Sequence, residues 1–209
     1  MKNALLAAAL LAPLMTHAQT FVGGGLGLGE TLPNRAAVFN AIPGTRSVQE
    51  TRSETWTAFA GYRFGPVGLE AGFIRLPKYR GIFDTKDYPL YKGLAPGSYP
   101  QTAYVTQSIN AQTFYLRINA YAPRVWGVQP YIAAGYAITQ SHNVEQALYD
   151  GVDRATNDIR FRSRRALFAV GAEVVPMRVE FVRIDGATDN PHTLRRDVRM
   201  VNVSLVHRF

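Results

Sequence analysis

Apolar and polar residues alternate along the last ten residues of the chain. The apolar positions of this stretch, spaced by twos, are Val201, Val203, Leu205 and Phe209. Alternation with a period of two is typical of a β-strand with two different faces. An apolar strand at the open edge of a sheet would promote aggregation. We therefore expect this strand to close a barrel whose apolar face meets lipid.

The same alternation recurs in seven earlier stretches, each of roughly the ten residues that a tilted strand needs to cross a bilayer. These are residues 20–29, 55–64, 67–76, 111–122, 128–139, 162–175 and 178–185. Tight turns at 65–66, 123–127 and 176–177 alternate with longer polar segments at 30–53, 77–109, 140–160 and 186–196. An even strand count, with short turns at one rim and long loops at the other, predicts an all-β, eight-stranded, antiparallel, up-and-down transmembrane β-barrel.

The local signal is strongest around the turn at 65–66. Folding there pairs Phe64 with Val67 and Ala58 with Phe73, so the apolar face stays in register through the turn. Aromatic residues occupy both ends of this face, and small apolar residues lie between them. This arrangement predicts a membrane band with two aromatic girdles.

Residues 1–18 have the pattern of a secretory signal peptide, which leaves residues 19–209 as one barrel domain. Lys2 precedes an apolar run at 4–14, and small residues precede Gln19. The chain has no cysteine, which excludes a disulfide framework and thiolate chemistry. Its formal net charge is +8. An exported protein of this charge meets anionic lipid or polysaccharide before nucleic acid, so we expect no nucleic-acid partner.

Three blocks carry a resemblance to a known family: GYRF at 61–64 with GLEAGF at 68–73, QPYIAAGY at 129–136, and the closing 203–209. They resemble the outer membrane protein A-like β-barrel superfamily. The resemblance implies a bacterial outer-membrane location. The terminal pattern, Val201, Val203, Leu205 and Phe209, resembles the signal by which barrel assembly machinery recognises such chains. His207 departs from the aromatic or aliphatic residue usual at its position.

Strand parity places charged residues on the inward face near the short turns: Arg63, Glu70, Arg117, Glu173, Arg178, Glu180 and Arg208. Glu173 and Glu180 are predicted to face each other across the turn at 176–177. Two such carboxylates would suit acid–base chemistry, but a charge inside a narrow barrel must be paired. We therefore favour an ion-paired structural plug over a wide pore, with a narrow solute channel as an alternative.

A second basic set is predicted to point outward near the long-loop rim: Arg75, Arg160, Arg162, Arg164, Arg195 and Arg199. These side chains could bind lipopolysaccharide phosphates through bidentate contacts, or they could form a solvated rim that sets membrane depth. Arg183 is predicted to point outward at lipid depth. It either extends to the rim or indicates a slip in register.

Candidate catalytic residues are few. His142 with Ser141 and either Asp150 or Asp153 is the set from which a lipid-modifying hydrolase would be built. No metal-ligand spacing or nucleotide fingerprint occurs, and we expect no cofactor. A soluble lipocalin-like barrel would turn its apolar face inward around a ligand. The favoured interpretation is a non-enzymatic outer-membrane barrel with a structural or surface-interaction role and an unidentified extracellular partner. The tyrosines of 77–109 could contact such a partner, but we favour the alternative that they pack the loop on itself or on the extended ends of the neighbouring strands.

Overall fold

The computed structural model describes residues 18–33, 46–84, 103–149, 152–187 and 196–209. The predicted signal peptide, apart from Ala18, lies outside these ranges, as do parts of the predicted loops. The described residues form ten strands: β1 (Ala18–Pro33), β2 (Arg46–Glu50), β3 (Arg52–Phe64), β4 (Val67–Arg75), β5 (Tyr79–Asp84), β6 (Ala103–Tyr121), β7 (Gln129–Tyr149), β8 (Val152–Val174), β9 (Met177–Ile184) and β10 (Arg196–Arg208). No helix in this part of the chain is long and apolar enough to span a membrane.

The ten strands build a closed barrel of eight. Strands β2 and β3 are the two halves of one barrel strand interrupted at Thr51, and β4 and β5 are the halves of the next. Both β4 and β5 pair with β6, at successive positions along it. Every barrel strand pairs antiparallel with its neighbours in sequence, and β1 pairs with β10 to close the cylinder. The predicted eight-stranded, up-and-down architecture is confirmed.

The barrel is apolar outside and charged inside. Outward side chains such as Ile118 and Leu205 are 58% and 64% exposed, whereas Arg117, on the other face of β6, is 1% exposed. Large apolar residues otherwise avoid water, and charged residues are almost never fully buried unless they are paired. This polarity excludes the soluble alternative in which the apolar face lines the barrel.

Two of the predicted turns show how well the alternation specifies register. Around 65–66 the observed pairs include Phe64 with Val67 and Ala58 with Phe73, as predicted. At the turn between β8 and β9 the register differs from the prediction.

The turn between β8 and β9 occupies residues 175–176, one position earlier than predicted. Glu173 therefore pairs with Arg178, and Glu180 lies opposite Gly171. The predicted direct opposition of Glu173 and Glu180 is wrong. A displacement of two residues in register leaves every side chain on its own face, so the apolar pattern cannot detect it.

Several strands continue far beyond their predicted ends. Strand β7 runs to Tyr149 and β8 begins at Val152, so most of the loop predicted at 140–160 is strand. Strand β1 likewise reaches Pro33. Above the apolar band both faces of a strand are polar, and the period of two in hydrophobicity disappears although the backbone pairing continues. The tall sheet extends furthest along β6, β7 and β8.

The first and last strands approach each other very closely. A Cβ atom added to Gly25 would lie 2.2 Å from the Val203 carbonyl oxygen and from the Ser204 hydroxyl oxygen. Only a residue without a side chain fits at that distance. Glycines occupy the alternating inward positions 23, 25, 27 and 29 of β1 and therefore permit the thirteen-residue pairing with β10, from Phe21 opposite Arg208 to Pro33 opposite Arg196.

Candidate functional site

The barrel interior is crossed by an ionic network centred on Glu70. The Arg117 Nη2 atom lies 2.8 Å from one Glu70 carboxylate oxygen, and the Arg178 Nη1 atom lies 2.6 Å from the other. These three side chains come from β4, β6 and β9, and all are buried. One carboxylate thus joins two arginines that reach it from different strands.

Glu180 and Glu173 extend the network to the other strands. Arg117 Nη2 also donates to Glu180 at 2.8 Å. Arg178 forms two contacts with one Glu173 oxygen, through Nη2 at 2.7 Å and Nε at 3.0 Å. Arg208 donates to the second Glu173 oxygen. Three carboxylates and three guanidinium groups therefore form one continuous chain of contacts.

Inward tyrosines complete the hydrogen bonding of the carboxylates. The Tyr115 hydroxyl donates to Glu70 at 2.8 Å, and the Tyr131 hydroxyl donates to Glu180 at 2.7 Å. The Asn119 side-chain nitrogen donates to Glu70 at 3.1 Å. Both tyrosines lie on the inward faces of their strands. Sequence alone gives no sign of their partners, because alternation does not fix the register between strands that are joined by long connections.

Arg63 lies in the layer below the carboxylates. Its Nη1 atom donates to the Gln129 side chain at 2.8 Å, and its guanidinium lies 4.1 Å from the centre of the Tyr121 ring. Within the described ranges Arg63 pairs with no carboxylate. Six of the seven inward charges predicted from sequence thus meet in one network, and Arg63 covers it on the turn side.

The network fills the cross-section of the barrel. Its members come from β4, β6, β7, β8, β9 and β10, and its central side chains have almost no contact with solvent. An eight-stranded barrel is just wide enough for its side chains to fill. Buried charges in such a space are tolerated because each meets an opposite charge. Arg117 meets both Glu70 and Glu180 through Nη2, whereas its Nε and Nη1 atoms have no hydrogen-bond partner among the described residues.

The strands extend furthest at the long-loop end of the barrel, which we call the tall rim. The outward arginines near this rim lie in two different environments. Arg75, Arg160, Arg162, Arg164 and Arg199 are exposed on the outer face, as predicted. Arg195 lies outside the described residues. Three of them (Arg75, Arg160 and Arg162) line a groove of about 660 Å³ on the outside of the barrel. We call this the basic groove.

The basic groove is built on rows of directly opposed residues across β3, β4, β6, β7 and β8. The central row consists of Trp56, Arg75, Gln112, Gln140 and Arg162. The row nearer the loops contains Asn110, His142 and Arg160. The groove thus has arginines on β4 and β8 and amide side chains between them.

An aromatic row reaches from the central row of the groove to the row below it. The Phe73 ring centre lies 4.8 Å from that of Trp56 and 5.0 Å from that of Phe114. Phe73 and Phe114 lie one row below Arg75 and Gln112, and the same lower row ends on β8 at Arg164. Phe114 belongs to the outward apolar face, on which Leu116 and Ile118 follow, so on β6 the groove leads down into the apolar band.

Arg183 points outward, as its register predicts, since it pairs with the exposed Phe168. Its guanidinium lies 2.5 Å from Asp185 and 3.7 Å from Asp197, and its side chain is 43% exposed. Two carboxylates at the rim thus compensate its charge. The two-residue displacement of β9 leaves Arg183 on the outer face, so no change of face is needed to explain this arginine.

The candidate hydrolase residues are not brought together in a catalytic arrangement. Ser141 is buried on the inward face of β7, whereas the neighbouring His142 points outward, where its Nε2 atom lies 2.7 Å from Asp158. Asp150 lies outside the described residues, and nothing is described of the Asp153 side chain. In the described part of the chain no three acidic or histidine side chains are grouped to hold a metal ion.

The terminal strand has the two faces expected of it. Val201, Val203 and Leu205 are exposed on the outside, and Asn202 and Ser204 are buried within. The ring of His207 packs edge-on against that of Phe209, with 4.7 Å between the ring centres. His207, which departs from the residue type usual at this position, is therefore one member of an outward aromatic pair.

Comparisons with known proteins bear on the fold. The sequence matches no protein-family model, and no curated protein is similar to it in sequence. Among solved structures, Neisserial surface protein A is similar, with a TM-score of 0.53 at 10% identity, covering 92% of this chain and 99% of that one. The outer membrane protein OprG from Pseudomonas aeruginosa gives 0.51 at 13% identity, covering 92% and 96%. The chain has the fold of a small outer-membrane β-barrel. The attachment invasion locus protein Ail of Yersinia pestis, solved with the heparin analogue sucrose octasulfate, has the same barrel fold, with a TM-score of 0.50 at 8% identity, covering 93% and 100%.

Proposed function

We propose that this chain is an integral protein of the bacterial outer membrane, with a structural or surface-interaction role and no enzymatic activity. The observation that carries the proposal is its inverted polarity: charged side chains are buried inside, and large apolar side chains are exposed outside. A bilayer is the solvent in which that arrangement is stable.

The spacing of the aromatic residues supports the same conclusion. Near the tall rim Trp56 packs with Phe73, and near the short turns Tyr62 packs with Phe64. From Trp56 to Phe64 the strand extends roughly 26 Å, at about 3.3 Å per residue. Strand tilt shortens this distance, and an outer-membrane apolar band is about 25 Å tall. The two aromatic groups thus mark the two edges of a band of suitable thickness.

The filled interior favours a closed barrel rather than a channel. A conducting pore needs a continuous aqueous path, and the carboxylate–guanidinium network occupies the cross-section. The barrel would therefore act through its surfaces: the terminal strand toward the assembly machinery, the outer wall toward lipid, and the loops of the tall rim toward an extracellular partner.

Cell fractionation together with heat-modifiable gel migration tests this function. We expect the protein in the outer-membrane fraction, with a gel shift between unheated and boiled samples. A soluble protein that shows no shift would contradict the proposal. Planar-bilayer recording of the purified protein separates the closed barrel from the channel, because the ionic network predicts silence and steady unitary currents would favour a pore.

A further inference from the structure

We propose that the basic groove binds the phosphorylated sugar headgroup of a glycolipid that lies beside the barrel in the same leaflet. This inference rests on the outer-membrane location proposed above. It assigns a ligand class to the basic groove and predicts no binding of that ligand at the rest of the rim.

The cations of the groove have no partner of their own. Within the described residues none of Arg75, Arg160 and Arg162 pairs with a carboxylate, and the residues that line the groove include no acidic side chain. Lys78 adds a further positive charge at its edge. Guanidinium groups without an internal acceptor favour a ligand that brings anionic oxygens, and phosphate matches their bidentate geometry.

Two cations outside the groove provide a contrast within the same molecule. Arg183, on β9, meets Asp185 and Asp197, and Arg52, at the start of β3, meets Glu30 at 3.4 Å. Arg199, which lies between Glu30 and Arg183 on β10, has no carboxylate partner among the described residues, but it is a single cation. In the groove three uncompensated arginines line one depression, and this clustering favours a ligand with more than one anionic group.

The shape of the groove selects a lipid over a soluble anion. It opens sideways on the outer wall and is lined by Trp56 and Phe73, and the ring of Phe73 packs against that of Phe114 to form an aromatic floor at its lower edge. That floor continues into the apolar band below. A ligand with phosphate above and acyl chains below would satisfy both surfaces at once, whereas a free phosphate would leave the aromatic floor uncovered.

The spacing of the groove suits a headgroup of more than one sugar. Arg75 and Arg162 lie on β4 and β8, separated by β6 and β7, so their backbones are roughly 14 Å apart at about 4.8 Å between strands. The side-chain amides of Gln112 and Gln140, joined to each other at 3.3 Å, lie between them at the same level. Two phosphates on a disaccharide, with hydroxyl groups between them, would match this order of cation, amides and cation.

Titration of single-tryptophan protein with defined lipids tests the proposal. The variant Trp126→Phe keeps Trp56, which lines the groove, as the only tryptophan. The full chain in detergent micelles is titrated with diphosphoryl lipid A, dephosphorylated lipid A, phosphatidylglycerol and inorganic phosphate. We expect saturable quenching or enhancement by diphosphoryl lipid A, and affinity at least about 10-fold weaker for the other three.

Substitutions then locate the site. Arg75→Gln and Arg162→Gln should each weaken binding of diphosphoryl lipid A about 10-fold, because each removes a charge-assisted contact. Arg199→Gln, an outward arginine on β10 outside the groove, is the matched control and should stay within about twofold. Equal binding by Arg75→Gln/Arg162→Gln, an equal loss in Arg199→Gln, or equal affinity for dephosphorylated lipid A, phosphatidylglycerol or inorganic phosphate would each overturn the proposal.

The failure of this inference is distinguishable from failure of the proposed function. A protein that reaches the outer membrane and shifts on heating, but shows no preference among these lipids, contradicts the groove alone. A protein that neither fractionates with the membrane nor shifts contradicts the location, whatever its lipid binding.

Discussion

Replacing Arg178 with methionine tests whether the interior network holds the barrel together. The guanidinium of Arg178 contacts Glu70 at 2.6 Å and Glu173 at 2.7 Å, and it lies 4.5 Å from the centre of the Phe59 ring. Methionine has a similar length and fills the same space without the charge. The substitution therefore removes the ion pairs while it disturbs packing little.

The remaining partners determine the magnitude. Removing one member of a buried ion pair costs about 3–5 kcal/mol, because the other charge is left uncompensated. Here Glu70 keeps Arg117, and Glu173 keeps Arg208. We therefore expect the free energy of unfolding to fall by about 3 kcal/mol, the lower end of that range. Equilibrium urea unfolding in phospholipid vesicles, followed by tryptophan fluorescence, measures the change.

A double variant shows whether the loss comes from the ion pair. Adding Glu173→Gln removes a carboxylate that has lost a partner in Arg178→Met. The two losses in unfolding free energy should therefore overlap by about 1–3 kcal/mol. Arg199→Met, at an exposed outward position, is the control and should change stability by no more than about 0.5 kcal/mol. A loss below about 1 kcal/mol for Arg178→Met, or strict additivity in the double variant, would refute the low-dielectric, ion-paired interior.

Three further outcomes follow from the outer wall and the seam. In vesicles with brominated acyl chains, fluorescence of Trp56 in the aromatic row should be quenched more strongly than that of Trp126, which is 98% exposed at the tip of a turn. Stronger quenching of Trp126 would show that the bilayer does not lie where we place it. Leu116→Arg, on the outward face midway down β6, should destabilise the barrel by about 2–4 kcal/mol in urea unfolding, and Gln112→Arg, on the same face at the rim, by no more than about 1 kcal/mol. Gly25→Ala should lower the unfolding free energy by about 1–3 kcal/mol because its Cβ overlaps a neighbouring carbonyl oxygen, and retained stability would show that the seam can open to admit it.

Within the apolar band, alternation alone predicted which side chains point inward or outward and where most turns lie. The hairpin at 65–66 could be predicted to the residue because a one-residue slip would turn Tyr62 and Phe64 inward. The inward position of Glu70 and Arg117 followed from the same rule. Their mutual contact did not, because β4 and β6 are joined by a long connection and alternation does not fix how far one strand is shifted along the other.

Outside the band the same reasoning failed for physical reasons. His142 and Gln140 lie on a strand whose two faces are both polar, so nothing in the hydrophobic pattern distinguishes this segment from a loop. At the turn between β8 and β9 a two-residue displacement left the faces of Glu173 and Glu180 unchanged and hid the pairing with Arg178. The basic groove also escaped prediction, since Arg75 and Arg162 line one surface only because β6 and β7, which lie between them, continue as strands to that height.

The seam between β1 and β10 has a consequence for the order of assembly. Phe21 pairs with Arg208, so this seam closes a far longer loop of chain than any hairpin of the barrel. Hairpins can form early, and we expect the seam to form last. Until it forms, β1 and β9 each present a row of unpaired backbone groups to hydrocarbon, so we expect the chain to be most prone to misassembly between the completion of β9 and the pairing of β10. The inward glycines of β1 leave room for the backbone of β10 to approach, because a Cβ at Gly25 would overlap the Val203 carbonyl oxygen.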